Sequence, residues 1–293
     1  MTHIPVLLNE VLNFFSPLKE GVIIDATLGL GGHSYHLLKQ NANISIIGFD
    51  KDIEALNFAK ERLKEFEGRF ELINNSFNAI SSLLSKDIKI VGVLADIGVS
   101  SYQLDSVNRG FGFKSNSLDM RMNLDSNTTA RDIINSYSKD ELNRIFKDYG
   151  EIYNYELLSN KIIQHRKIKS IETPLDLINL IHEFFHKSRN LQTLVFQALR
   201  IEVNDELNEL KNFLLSIQNL KNASIAIISF HSLEDRIVKN AFKEWAFKSK
   251  KCNSDGNSRG EIITKKPLRP SIEELKVNNR ARSAKMRCFR FHE

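Results

Sequence analysis

The chain has 293 residues, 42% of them hydrophobic and 26% charged, with 5 Pro and 2 Cys. That composition fits a globular protein of one domain plus an insertion or second domain, and excludes a disulfide scaffold, a disordered chain and a membrane-spanning one. The net charge of +5 is unevenly spread: Arg236 to Glu293 carries 16 Lys/Arg against 6 Asp/Glu, and the remainder 25 against 30, so a polyanion contact is expected near the C-terminal end.

In chain order, an apolar strand over Val22–Asp25 runs into the turn Ala26-Thr27-Leu28-Gly29-Leu30-Gly31-Gly32-His33, which opens a helix from Ser34 to Gln40. A second strand, Ile44–Asp50, ends in a carboxylate about 20 residues after the turn, the spacing at which an acid grips a ribose diol. The dinucleotide fingerprint G-x-G-x-x-G is not met, because Gly29 and Gly31 are followed by Ser34 in the third slot. Asp25 at the strand end would repel a pyrophosphate but suits a ligand bearing sulfonium and ammonium charges. The turn therefore points to S-adenosylmethionine rather than to a nicotinamide cofactor.

A helix over Ile53–Phe66 places Ile53, Leu56, Ala59 and Leu63 on one face, and strands follow at Phe70–Asn74 and Ile90–Asp96. The alternation predicts an α/β fold with a doubly wound parallel sheet, whose ligands bind beyond the carboxyl ends of the strands. Asp25, Asp50, Asn75, Phe77 and Asp96 fall at such ends. After Asp96 the alternation stops. A Gly/Ser/Asn-rich segment, Ser100 to Asn127, leads to helices at Ala130–Asn135, Lys139–Tyr149, Glu156–His165 and Pro174–Phe185, and to one long helical run from Asn190 to Leu220. Strands return at Ala223–Ser229 and Met286–Phe291, with a polar loop, Lys248–Lys266, between them. The expected organisation is an α/β domain of residues 1–105 and 200–293, interrupted by an all-helical domain, residues 106–199, that recognises substrate. Cys252 and Cys288 lack zinc spacing, so no metal is expected. The segment Met1–Val6 has no basic or apolar leader, which predicts a cytoplasmic location without membrane contact.

Several blocks are more specific than these patterns. They are Thr27–Ser34, Asp96–Asp105, Arg109-Gly110-Phe111-Gly112-Phe113, Leu118-Asp119-Met120-Arg121-Met122, Phe196–Ile201, Ile228–Arg236 and Asn279-Arg280-Ala281-Arg282-Ser283. In this order and over nearly the whole chain they resemble the bacterial small-subunit ribosomal RNA cytosine-N4 methyltransferase family. The resemblance implies a class I methyltransferase fold of Rossmann-like form. It also implies methylation of a cytidine in the decoding region of 16S rRNA, with S-adenosylmethionine as donor. Carried over, the family's donor-binding positions fall on Gly31, Gly32, His33, Asp50, Phe77, Asp96 and Gln103. Physical roles match: backbone N–H groups for the methionine carboxylate, Asp50 for both ribose hydroxyls, and an aromatic face for adenine. Plainer roles stand beside them, with Phe77 as a core aromatic and His33 as a polar residue at a helix start.

The chain departs from the family twice. Before Phe196 the family commonly reads Pro-Ala-Thr-Arg-Thr, whereas this chain has Arg189-Asn190-Leu191-Gln192-Thr193-Leu194-Val195, and before Arg280 the family commonly has Asn-Pro where this chain has Asn278-Asn279. The proton acceptor is Asp96 or His231, and His231 equally reads as the cap of the helix after its strand. Phe111, Phe113, Phe230 and Tyr102 are aromatics for a flipped base. Arg280 and Arg282, in the stretch Arg280–Arg287, are the expected contacts to 16S rRNA or the small ribosomal subunit. Two other readings fit parts of the pattern: a class I methyltransferase acting on another nucleic acid or on a small molecule, and a non-catalytic ribosome assembly factor.

Overall fold

The computed structural model describes residues 4–84, 88–100, 103–104, 106–185, 189–247 and 258–293. Tyr102, Asp105, Cys252 and the first part of the Lys248–Lys266 loop lie outside the described residues. The chain divides into two compact units, Met1–Gly98 with Glu209–Glu293, and Val99–Asn208. The expected junctions at 105/106 and 199/200 therefore fall inside the second unit.

The first unit is built on a seven-stranded sheet in the order β3-β2-β1-β4-β5-β7-β6. Its strands are β1 (Gly21–Asp25), β2 (Ile44–Asp50), β3 (Phe70–Asn74), β4 (Ile90–Asp96), β5 (Ser224–Ser229), β6 (Gly260–Ile262) and β7 (Lys285–Phe291). Strands β1 to β5 are parallel, whereas β7 runs antiparallel to both β5 and β6. Side-chain alternation sorts neighbours into two apolar layers. Ile24, Ile47, Val93 and Ile225 join one core, and Ile23, Ile46, Leu94 and Ala226 the other. Both faces of β4 and β5 are covered, which is why these strands read as unbroken apolar runs. The order reverses between β1 and β4, and a crevice for ligands opens at such a switch point.

Helices α1 (Leu8–Phe15), α2 (Gly32–Gln40), α3 (Ile53–Leu63) and the short α4 (Ser81–Leu84) belong to this unit. Helix α3 buries Ala55, Leu56, Ala59 and Leu63, but Ile53 is 55% exposed at its first position, a correction to the predicted apolar face. Asp52 caps that helix, accepting the N–H of Glu54 at 3.0 Å. The chain from 64 to 66 tightens into a 3₁₀ turn rather than continuing α3.

The second unit is helical, with α5 (Ala130–Ser136), α6 (Lys139–Asp148), α7 (Tyr155–Arg166), α8 (Pro174–Phe185) and α9 (Arg189–Asn204). Capping boxes start two of them, Thr129 with Asp132 and Ser138 with Glu141. Its own core gathers Ile133, Leu142, Phe146, Ile162, Ile181 and Leu199. The single long run predicted from Asn190 to Leu220 is two helices. Asp205 breaks it at φ 49°, and α10 (Glu206–Ile217) begins after it. The last helices are α11 (Ser232–Ala246) and α12 (Ile272–Val277), and α1, α12 and β6 were not predicted.

Candidate active site

Strand β1 delivers Asp25 to the glycine turn. Gly29 (φ 51°) and Gly31 (φ 71°) lie in the left-handed region, which costs other residues about 1–2 kcal/mol. A Cβ on Gly31 would also come within 3.2 Å of the Ala59 Cβ. Three strands hold the turn. The N–H of Asp96 donates to Thr27 Oγ1 at 2.6 Å, Ser34 Oγ donates to Asp25 Oδ2 at 2.6 Å, and the N–H of Gly29 donates to Asp50 Oδ2 at 2.8 Å. No side chain caps α2 at Gly31, and a helix start without a side-chain cap is a place where an anionic group can bind. His33 is buried, and its Nε2 lies 2.9 Å from the Val6 carbonyl oxygen. The imidazole thus anchors the segment before α1, leaving the His33 backbone in the first turn of α2.

Three carboxylic acids end the strands around this turn. Burial pushes Asp25 up to about 6, against the Ser34 and Thr27 hydrogen bonds that favour its charge. Asp50 is likewise pushed to about 6 by burial, although the N–H groups of Asp52 and Gly29 stabilise the anion. Asp96 rises furthest, to about 8, through burial and then through the charges of Asp25 and Glu234. Its Oδ1 is buried with no hydrogen-bond partner among the described residues. An unsatisfied buried acid beside two others suits a cationic ligand. This donor set of carboxylates and backbone N–H groups fits a molecule with positive charge, a carboxylate and a diol.

His231 follows β5 and caps α11. Its Nδ1 accepts the N–H of Glu234 at 3.4 Å, and Glu234 Oε2 accepts the N–H groups of Phe230 (2.7 Å) and His231 (3.2 Å). His231 Nε2 lies 3.0 Å from Glu234 Oε1. The capping role is therefore filled. Glu234, fully buried, escaped the sequence reading, although its place three residues after the cap is the signal of a reciprocal box.

At the end of β3, Phe77 is half-buried and packs its ring edge-on against Phe213, with centroids 5.1 Å apart. It is part of the core and borders the end of β3 at once. Beside it, Lys51 pairs with Glu209, whose Oε2 also accepts from Ser76 Oγ at 3.1 Å. None of these three was predicted, because the bond joins positions far apart in the chain.

In the second unit Gln103 is buried, and its Oε1 accepts the N–H of Ser100 at 3.0 Å. Phe111 is a core residue and is not available for stacking, whereas Phe113 is 36% exposed and meets Phe196 at 4.8 Å, perpendicular to it. Two of the specific blocks hold each other: Arg109 donates to the carbonyls of Arg121 (3.2 Å) and Met122 (3.1 Å), and Asp119 chelates Arg121. Their residue types follow from loop architecture.

The basic C-terminal stretch separates into two parts. Arg280 and Arg282 are exposed on a 3₁₀ turn whose Ala281 and Ala284 are buried. Arg287, by contrast, is engaged: its Nε and Nη2 reach Asp235 at 2.6 and 3.2 Å, and Lys285 lies 3.6 Å from the same carboxylate. The expectation of outward arginine forks from Arg280 through Arg287 is corrected at its C-terminal end.

The model of the MraW methylase family matches residues 1–292. A protein from Helicobacter pylori (strain P12) named ribosomal RNA small subunit methyltransferase H is 52% identical over 299 residues, covering 99% of this chain and 97% of that protein. The protein of the same name from Campylobacter jejuni subsp. jejuni serotype O:6 is 48% identical over 304 residues, with the same coverage. A solved rRNA methylase from Streptococcus thermophilus aligns with 100% of this chain and 99% of its own at 10% identity and a TM-score of 0.42. The end-to-end match and the identity at about half of all positions leave one conclusion: the chain belongs to the MraW methylase family.

Proposed function

We propose that this methyltransferase transfers a methyl group from S-adenosylmethionine to the exocyclic N4 amine of a cytidine in the decoding region of 16S rRNA, in the cytoplasm. The observation that carries the reading is the convergence of Asp25, Asp50 and Asp96 on one glycine turn, in a chain kin to small-subunit rRNA methyltransferases. No helix among the described residues is long and apolar enough to cross a membrane.

When bound, the donor supplies an electrophilic methyl group on a positively charged sulfur. Gly31 shapes the turn, its own N–H already given to the Leu28 carbonyl at 2.8 Å, and the start of α2 at Gly32 and His33 receives the donor's carboxylate. Asp50 keeps lone pairs for the ribose hydroxyls after accepting from Gly29 and Asp52, and Phe77 borders the adenine. The cytosine amine is a weak nucleophile, so alignment and exclusion of water supply most of the rate. Asp96 or His231 takes the leaving proton; the filled cap at His231 favours Asp96. The helical unit and the exposed Arg280 and Arg282 engage the RNA.

The test is mass mapping of methylated nucleotides in ribosomal RNA from cells with and without the protein, followed by restoration with purified protein. One decoding-region cytidine should lose its N4 methyl group and regain it. An unchanged map would refute the reading, and transfer of label to duplex DNA instead would support another nucleic acid as substrate.

A further inference from the structure

We propose that Asp96 is a proton carrier whose charge follows that of the donor: the cationic donor expels its proton on binding, and the proton given up by the cytosine amine restores it. This deepens the proposed function and rests on it.

Asp96 ends β4 beside the turn after β1, its backbone N–H fixed to Thr27 Oγ1. It pairs in register with Ile228 on β5, two residues before Phe230. Its Oδ1 is buried and has no partner among the described residues. The groups whose charge bears on it are Asp25 from β1 and Glu234 from α11. Behind them stand Asp50, which acts on Asp25, and His231, which lies against Glu234. The hydroxyls of Thr27 and Ser34 are occupied by Asp96 N–H and Asp25. None of the contributions to Asp96 comes from a cationic side chain.

Without the donor, two anions and burial hold Asp96 in its neutral form, its value pushed up to about 8. A fixed positive charge placed among these carboxyls reverses that preference, since opposite charge favours the ionised acid. The reaction then balances. The amine nitrogen forms a bond to the methyl carbon, the carbon–sulfur bond breaks with its electron pair left on sulfur, and the amine proton passes to an Asp96 oxygen. The cation is gone at that moment, so Asp96 is again most stable protonated, and no outside base is required.

The experiment is calorimetry of donor binding at pH 7.5 in buffers of different ionisation enthalpy, comparing S-adenosylmethionine with S-adenosylhomocysteine. The two share carboxylate, ammonium and nucleoside and differ in the charge on sulfur. Donor binding should release more than half a proton and the thioether markedly less. At pH 9.5 the difference should vanish, because Asp96 is already ionised. Asp96→Asn should abolish the difference while still binding the thioether. If Asp96→Asn does not fold, the pH series on the unaltered protein decides alone. Equal release with both ligands, no release with either, or a difference that survives in Asp96→Asn would overturn the proposal. A ligand that fails to bind at all would instead overturn the proposed function.

Discussion

The backbone N–H of Gly29 donates to Asp50 Oδ2 across 2.8 Å, which ties the tip of the first loop to the end of the second strand. Asp50 therefore has two duties, shaping the turn and offering lone pairs to a diol. Asp50→Ala should weaken donor binding by at least tenfold, about 1.4 kcal/mol. Isothermal titration with S-adenosylmethionine measures this, and unchanged affinity would remove Asp50 from the pocket.

Arginines of the C-terminal stretch should separate by phenotype. Replacing Arg280 and Arg282 together by Ala should flatten the slope of log affinity for RNA against log salt by about 2, one per phosphate contact. Arg287→Ala should leave that slope alone and cost about 1–3 kcal/mol of stability, because Asp235 loses its bidentate partner. Filter binding over a salt series and urea denaturation read the two effects. A shared effect on the salt slope would show that Arg287 also meets RNA.

His231 is expected to behave as a cap. His231→Ala should lower stability by about 1 kcal/mol, since the N–H of Glu234 loses its acceptor. With saturating donor, kcat should stay within a factor of about three of the unaltered protein. A far larger fall in a folded variant would place His231 in the chemistry.

The carboxyl cluster makes a signed prediction about pH. Asp25, Asp50 and Asp96 titrate higher in the folded chain than the ordinary carboxylate value of 3.8. Between the unfolded and folded values the native state binds more protons, so stability falls as pH rises above 3.8, up to about 6 for Asp25 and Asp50 and on to about 8 for Asp96. The ligand-free protein should unfold at a lower temperature at pH 9 than at pH 6, other groups equal. In Asp96→Asn that difference should shrink. Differential scanning calorimetry across this range is the check, and an identical dependence in both proteins would contradict the shifted Asp96.

Much of this was legible in the sequence because it is local. Strand β2 and helix α8 follow directly from apolar pattern and punctuation, and appear over the predicted residues. The glycine turn and the acids at the strand ends were readable for the same reason. What escaped depends on distant partners. Strand β6 has three residues and exists because β7 pairs with it. Lys51 meets Glu209 across 158 positions. Asp205 looks unremarkable in a helical run, yet its positive φ ends one helix and starts another. Phe111 and Arg287 carry the right chemistry for RNA contact, but burial and an ion pair have already claimed them.

The insertion of β7 between β5 and β6 has a consequence for biogenesis. Strand β6 precedes β7 in the chain and, among the described residues, has β7 as its one strand neighbour, so during synthesis it emerges before the strand it pairs with. Until β7 threads into place, one long flank of β5 presents unpaired amides and carbonyls beside apolar side chains, the kind of edge on which nascent chains stick together. Shortened products ending before Lys285 should for that reason be the ones that cells clear or that accumulate as aggregates.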